Sequence, residues 1–238
     1  MVKVEKVNIM DIEFVNTTKE TLLTKHLFPI LLNQQKCFIV TANPEIVMKA
    51  QEDQNYKQTV QQAHYIVPDG IGIIYAAKYL GTPLTERIAG FDLVLDLLKF
   101  ANEKKLNVYF LGARDEVNQK ATKKVKEKYP DINIVGAHHG FFDLEDSTVV
   151  ESVKDANPDL ILVALGFPKQ EEWICKYMDD FEKGLFIGVG GSFDVLAGEV
   201  KRAPDIWIKL NLEWFYRLIK QPFRIKRIVK VFQFMFKV

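Results

Sequence analysis

The chain has 238 residues, 48% of them apolar and 26% charged, which is room for one large α/β domain or a domain with an appendage and too apolar for wholesale disorder. The net charge of +1 conceals a division: Lys201 to Val238 carries ten basic and two acidic residues, a net of +8, while the first 200 residues carry 22 basic and 29 acidic, a net of −7. The two cysteines, Cys37 and Cys175, form no C-x-x-C pair, which argues against a disulfide scaffold or zinc cluster and fits a reducing cytosol. The first residues lack the apolar run of a signal peptide, and no stretch of about 18 apolar residues is present to span a bilayer.

Taken in order, Val4 to Ile9 and Ile12 to Val15 read as a short hairpin turning near Asp11. Thr17 or Thr18 can cap a following helix that carries Leu22, Leu23 and Leu27 on one face. Apolar runs bounded by turn residues then recur at Cys37–Val40, Tyr65–Val67, Val108–Leu111, Ile132–Val135, Leu160–Leu165 and Leu185–Val189. Helical patterns such as Phe91, Leu95, Leu98 and Val117, Ala121, Val125 separate them. This alternation predicts a Rossmann-like α/β fold, a mainly parallel sheet with helices on both faces. From about Val200 no strand signal remains. Pro204 opens a helix predicted to run through Trp207, Leu210, Leu212, Phe215 and Leu218, Pro222 breaks it, and Ile225, Ile228, Val229, Phe232 and Met235 mark a second basic, amphipathic helix. The division is therefore an α/β domain over residues 1–197 and a helical appendage over 198–238.

Ligands of such sheets bind beyond the carboxyl ends of the strands, and the polar and glycine-rich residues concentrate there. Asp69, between an apolar run and Gly70, is a candidate general base; Asp is also a common helix N-cap. Thr41 and Asn43 offer a hydroxyl and an amide to a sugar, although Asn before Pro commonly starts a turn. Gly188-Val189-Gly190-Gly191 can bring backbone N–H groups to a phosphate, without being a Walker loop or a G-x-G-x-x-G fingerprint, and can equally be a tight turn leaving a buried strand. Asp194 can accept from the N3–H of uracil or end a turn. Arg87 suits a phosphate or pairs with Glu86. Gln170 can present its amide to a sugar or stand exposed in a first helical turn. His138 and His139 read as loop residues without a third metal ligand, and no Asp-x-Asp is present for a divalent ion. The basic tail can lie on an anionic membrane surface, close the core as an ordinary amphipathic helix, or bind nucleic acid; it is too apolar for a groove reader, and the charge excess favours the membrane.

Six blocks in order resemble the WecG/TagA/CpsF family of glycosyltransferases: Thr41-Ala42-Asn43-Pro44-Glu45, Pro68-Asp69-Gly70-Ile71-Gly72, Glu86-Arg87-Ile88-Ala89-Gly90, Phe110-Leu111-Gly112-Ala113, Gly166-Phe167-Pro168-Lys169-Gln170-Glu171 and Gly188 through Asp194. The branch acting in teichoic-acid synthesis is the nearer match. The resemblance implies transfer of N-acetylmannosamine from a UDP-sugar donor to polyprenyl-diphosphate-linked N-acetylglucosamine, with no metal or other cofactor, by a cytoplasmic enzyme peripheral on the inner face of the cell membrane. It makes Asp69 the base, lines the sugar pocket with Thr41, Asn43 and Gln170, gives Arg87 the diphosphate or the acceptor, and gives UDP to Gly112, Gly191 and Asp194. Arg217, Arg224 and Arg227 of the appendage, aligned by spacing alone, would close over the site. The branch that uses N-acetylmannosaminuronic acid shares most of these blocks and stays open, as do a non-catalytic lipid- or nucleotide-binding module and self-association of the chain. Nucleic acid is not an expected partner.

Overall fold

The structure, a computed structural model, describes residues 4–220 and 225–238. A two-stranded antiparallel hairpin, β1 (Lys6–Ile9) and β2 (Ile12–Val15), comes first. Its two turn residues, Met10 and Asp11, both take positive φ, which matches the right-handed twist of the strands they join. Thr18 caps α1 (Lys19–Leu22) by accepting from the Thr21 N–H, and the helix continues through a π-helical turn, Leu23–Leu27, into α2 (Phe28–Leu32).

Six strands then form one all-parallel sheet: β3 (Lys36–Ala42), β4 (Tyr65–Pro68), β5 (Asn107–Gly112), β6 (Asn133–His138), β7 (Leu160–Ala164) and β8 (Gly184–Gly188), in the order β4-β3-β8-β7-β5-β6. Five of them coincide with apolar runs of the sequence, because a parallel strand covered on both faces needs apolar side chains at every position, and the partly exposed edge strand β6 runs beyond its own. Alternate residues feed two cores. Val108, Phe110, Leu160, Leu162, Leu185 and Ile187 join α1, α2, α6 (Gly90–Lys104), α7 (Asp115–Lys128) and α10 (Ser192–Leu196) on one side. Tyr109, Leu111, Ile161, Val163 and Phe186 join the hairpin, α3 (Pro44–Glu52), α4 (Gln54–Gln61), α5 (Ile71–Tyr79), α8 (Ser147–Asp155) and α9 (Lys169–Tyr177) on the other. Both cysteines are free thiols; burial raises the pKa of Cys37 far above its usual range.

Two expectations are corrected. His138 is not a loop residue: it ends β6, and its Nδ1 lies 2.8 Å from the His139 carbonyl oxygen. The single tail helix expected through Leu218 is two helices, α11 (Asp205–Lys209) and α12 (Glu213–Lys220). Asn211, with φ of 58°, divides them by adopting the left-handed conformation that ends a helix. The final helix, α13 (Ile225–Lys237), packs on α3 and α5 and drives Phe234, fully buried, into the second core.

Candidate active site

The carboxyl ends of the strands carry three clusters. The first surrounds a cavity of about 410 Å³. Asn43, Glu45, Asp69 and Arg87 give it a charged, polar side, and Tyr75, Phe91, Trp214, Val231, Phe232 and Met235 give it an apolar one. Asp69 leaves β4 with its N–H donated to the Ala42 carbonyl of the neighbouring strand. The next residue, Gly70, is the N-cap of α5 with φ of 98°, and no side chain caps that helix. Asp69 is therefore not its cap, and its carboxylate borders the cavity. Arg87 is held beside it by Ile88, which is fully buried and donates its N–H to the Pro68 carbonyl at 2.9 Å. The pairing of Arg87 with Glu86 does not occur: Glu86 Oε2 accepts from the Lys19 N–H at the start of α1, and Arg87 makes no ion pair among the described residues. Asn43 does cap: its Oδ1 accepts from the N–H groups of Glu45 and Ile46 at 2.9 and 3.1 Å while the residue lines the cavity.

The second cluster adjoins the first where β3 meets β8. β3 stands between β4 and β8, so the exits of these three strands lie side by side. Thr41 bridges the clusters. Its Oγ1 donates to the Gly188 carbonyl at 3.3 Å, and its side chain packs on Gly90, where a Cβ would stand 3.1 Å from it. Behind the glycine turn lies Gln170, which is buried rather than exposed: its Oε1 accepts from the Gly190 N–H at 3.0 Å and its Nε2 donates to Glu171 at 2.7 Å. Asp194 follows in the first turn of α10, within van der Waals reach of the side a Cβ on Gly191 would occupy.

The third cluster lies further along the sheet. Gly112 ends β5 with φ of 119°, so close to β7 that a Cβ would stand 2.5 Å from the Ala164 backbone; only glycine fits there. Buried Asn118 on α7 braces this exit, its Nδ2 within 3.1 Å of the carbonyls of Phe110, Gly112 and His138. The sequence reading missed Asn118, Glu171 and Tyr56. For Glu171 a signal exists: Trp173, Ile174 and Cys175 mark an apolar helical stripe, and Glu171 lies three and four residues before two of them.

No group of three or more His, Cys, Asp or Glu gathers at metal-binding distance among the described residues. Arg224 lies outside the described residues, as do the side chains of Arg217 and Arg227. The helices α12 and α13 nonetheless reach the first cavity, since Glu213 and Trp214 of α12 and Val231, Phe232 and Met235 of α13 line it.

The sequence was compared with known proteins. Residues 7–238 match the glycosyl transferase WecG/TagA/CpsF family. Relatives from Staphylococcus aureus strains MW2 and NCTC 8325 / PS 47 are 44% identical to the chain over 235 residues, and one from strain MRSA252 is 43% identical. Each alignment covers 98% of this chain and 92% of the relative, and each relative carries the name N-acetylglucosaminyldiphosphoundecaprenol N-acetyl-beta-D-mannosaminyltransferase. With a parallel Rossmann-like sheet, a charged cavity at its carboxyl edge and this extent of likeness, the chain belongs to the WecG/TagA/CpsF family of glycosyltransferases.

Proposed function

We propose that the chain transfers N-acetylmannosamine from UDP-N-acetylmannosamine to undecaprenyl-diphosphate-linked N-acetylglucosamine, with inversion and without metal, giving the β-1,4-linked disaccharide of the wall teichoic acid linkage unit. The observation that carries this reading is the meeting of Asp69, Arg87 and an apolar wall from α12 and α13 in one cavity, in a chain similar over almost its whole length to relatives of that name. A sugar hydroxyl on a lipid carrier needs a base and an apolar flank together.

The step is a single displacement. The acceptor oxygen forms a bond to the anomeric carbon, the bond from that carbon to the β-phosphate oxygen breaks, and its electron pair leaves with UDP. The hydroxyl proton passes to Asp69. Thr41, Asn43 and Gln170 orient the sugars, with the Gln170 amide already bonded on both sides. Gly112, Gly191 and Asp194 hold the UDP. Arg87 and the tail cations Arg217, Arg224 and Arg227 balance the charge that grows on the leaving diphosphate, the largest electrostatic demand of the step.

The appendage, residues 198–238, completes the site and rests on the inner face of the membrane. No helix among the described residues is long and apolar enough to cross a membrane. Ile219, Ile225, Val229, Phe232 and Phe236 are exposed on helices rich in Lys and Arg, which supports an interfacial position.

Release of UDP tests the reading. The enzyme is offered a panel of UDP-N-acetylhexosamines, including the mannosaminuronic acid, with the lipid-diphosphate acceptor. UDP-N-acetylmannosamine is expected to turn over fastest, in the presence of EDTA as in its absence. Preference for the uronic acid reassigns the donor, strong inhibition by EDTA removes the metal-free mechanism, and no release from any sugar leaves a binding module.

A further inference from the structure

A buried polar chain runs behind the glycine turn that leaves β8. The Tyr56 hydroxyl, on α4, donates to Glu171 Oε2 at 3.2 Å; Gln170 Nε2 donates to Glu171 Oε1 at 2.7 Å; the Gly190 N–H donates to Gln170 Oε1 at 3.0 Å. Tyr56 and Glu171 are each 1% exposed and Gln170 is 5% exposed. Taking a carboxyl this far from water is costly, and an apolar side chain would serve a helix–sheet interface better. The two carboxyl oxygens are both engaged, and one of them sets the sense of the Gln170 amide. Were that amide reversed, its oxygen would face the carboxylate and its NH₂ would face the Gly190 N–H, both unfavourable.

The amide and the carboxyl also bear directly on the strand end. A Cβ at Gly188 would stand 2.6 Å from Gln170 Nε2 and 3.1 Å from Glu171 Oε1, so glycine there lets the pair lie on the backbone. Gly190, with φ of 48°, has open space where a Cβ would stand, and its turn is held by the Gln170 hydrogen bond together with the Ser192 N–H donated to the Val189 carbonyl at 3.0 Å. Next to it Gly191 is exposed, and its N–H takes no acceptor among the described residues.

We propose that Glu171 is a positioning residue for glycosyl transfer: acting through the Gln170 amide, and held by Tyr56, it fixes the turn from Gly188 to Ser192 in the shape that receives the diphosphate of the nucleotide donor. The proposal rests on the reading of that turn as part of the UDP site. The network survives either protonation state. Burial pushes the Glu171 carboxyl up to about 7, the Glu172 charge adds to the rise, and hydrogen bonds from Gln170 and Tyr56 oppose it. Protonated on Oε2, the acid donates to the Tyr56 oxygen and still presents Oε1 to Gln170. A glutamine at this position repeats that arrangement, with its oxygen toward Gln170 and its NH₂ toward Tyr56; a leucine does not.

The test uses the full chain, with steady-state kinetics varied in donor and in acceptor and with calorimetric titration of UDP. Glu171→Leu is expected to raise the donor KM and the Kd for UDP about tenfold to a hundredfold, the scale of a misplaced binding group, while the acceptor KM stays put. Glu171→Gln is expected to restore both constants, which a role in packing alone would not distinguish from leucine. Gly191→Ala, in which the new methyl group fits without clash against the protein, reports separately on the turn and is expected to weaken UDP. A folded Glu171→Leu enzyme with the wild-type donor KM and UDP Kd overturns the proposal, and if Gly191→Ala weakens UDP in the same experiment the reading of the turn stands alone. If Gly191→Ala leaves UDP binding unchanged, that reading fails and takes the proposal with it. Should Glu171→Leu lose its near-ultraviolet circular dichroism, Tyr56→Phe carries the test: a raised donor KM supports the proposal and an unchanged one refutes it.

Discussion

Asn43 and Asp69 both stand where a strand gives way to a helix, yet the helix uses only one of them. Asn43 caps α3 with its side-chain oxygen, whereas Gly70 caps α5 and the Asp69 carboxylate borders the cavity. Loss of a general base typically lowers rate by about 10²–10⁴. Asp69→Asn is therefore expected to lower kcat by that order with the Kd for UDP unchanged, and near-normal turnover would remove Asp69 from the role. Glu171 makes a different prediction. Its folded value near 7 lies above the ordinary 4.5, so the folded chain holds this proton more tightly than the unfolded one. The stability it contributes is complete below about pH 4.5 and declines as pH rises through 7, by roughly 3 kcal/mol. Melting temperatures of wild type and Glu171→Gln, followed from acid to alkaline pH, are expected to diverge with the variant higher at alkaline pH. Parallel curves would show that Glu171 does not carry this proton.

Among the elements, α13 is anchored on α3 and α5 by Phe234, which is fully buried. Its Val231, Phe232 and Met235 face the cavity, so one helix both closes a core and walls a site. A chain ending at Val200 is expected to keep the far-ultraviolet circular dichroism of the sheet and its helices, bind UDP weakly, and fail to turn over. Full activity of that shortened chain on a soluble acceptor analogue would show that the appendage adds nothing to the site. The division of α11 from α12 at Asn211 was hidden in the sequence, because Trp207, Leu210, Leu212 and Phe215 fit one helical stripe and a single left-handed residue suffices to interrupt it. The burial of Gln170 was hidden for a related reason: polar residues in a first helical turn read as exposed unless a buried carboxyl such as Glu171 waits to pair with them.

At the scale of the molecule, the acidic body and the basic tail are one electrostatic arrangement, net −7 against +8. Each Lys or Arg near an anionic surface contributes about 1 kcal/mol, and salt screens it. The protein is expected to sediment with vesicles containing anionic lipid, less so as salt rises, and not with zwitterionic vesicles at any salt. Equal binding to both would place the attraction in the exposed apolar residues alone.

The sequence by itself determined where the six strands lie, the Rossmann-like class, the carboxyl-edge position of the polar blocks and the family. Those properties follow from local apolar runs and from turn residues at their ends, and both are written within a few positions of each other. Only the tertiary structure decided the strand order, the approach of α12 and α13 to Asp69 and Arg87, and the burial of Glu171 against Tyr56, 115 positions away. Each depends on surfaces distant in the chain meeting to bury apolar area and satisfy polar groups together, and no local spacing encodes which of them meet.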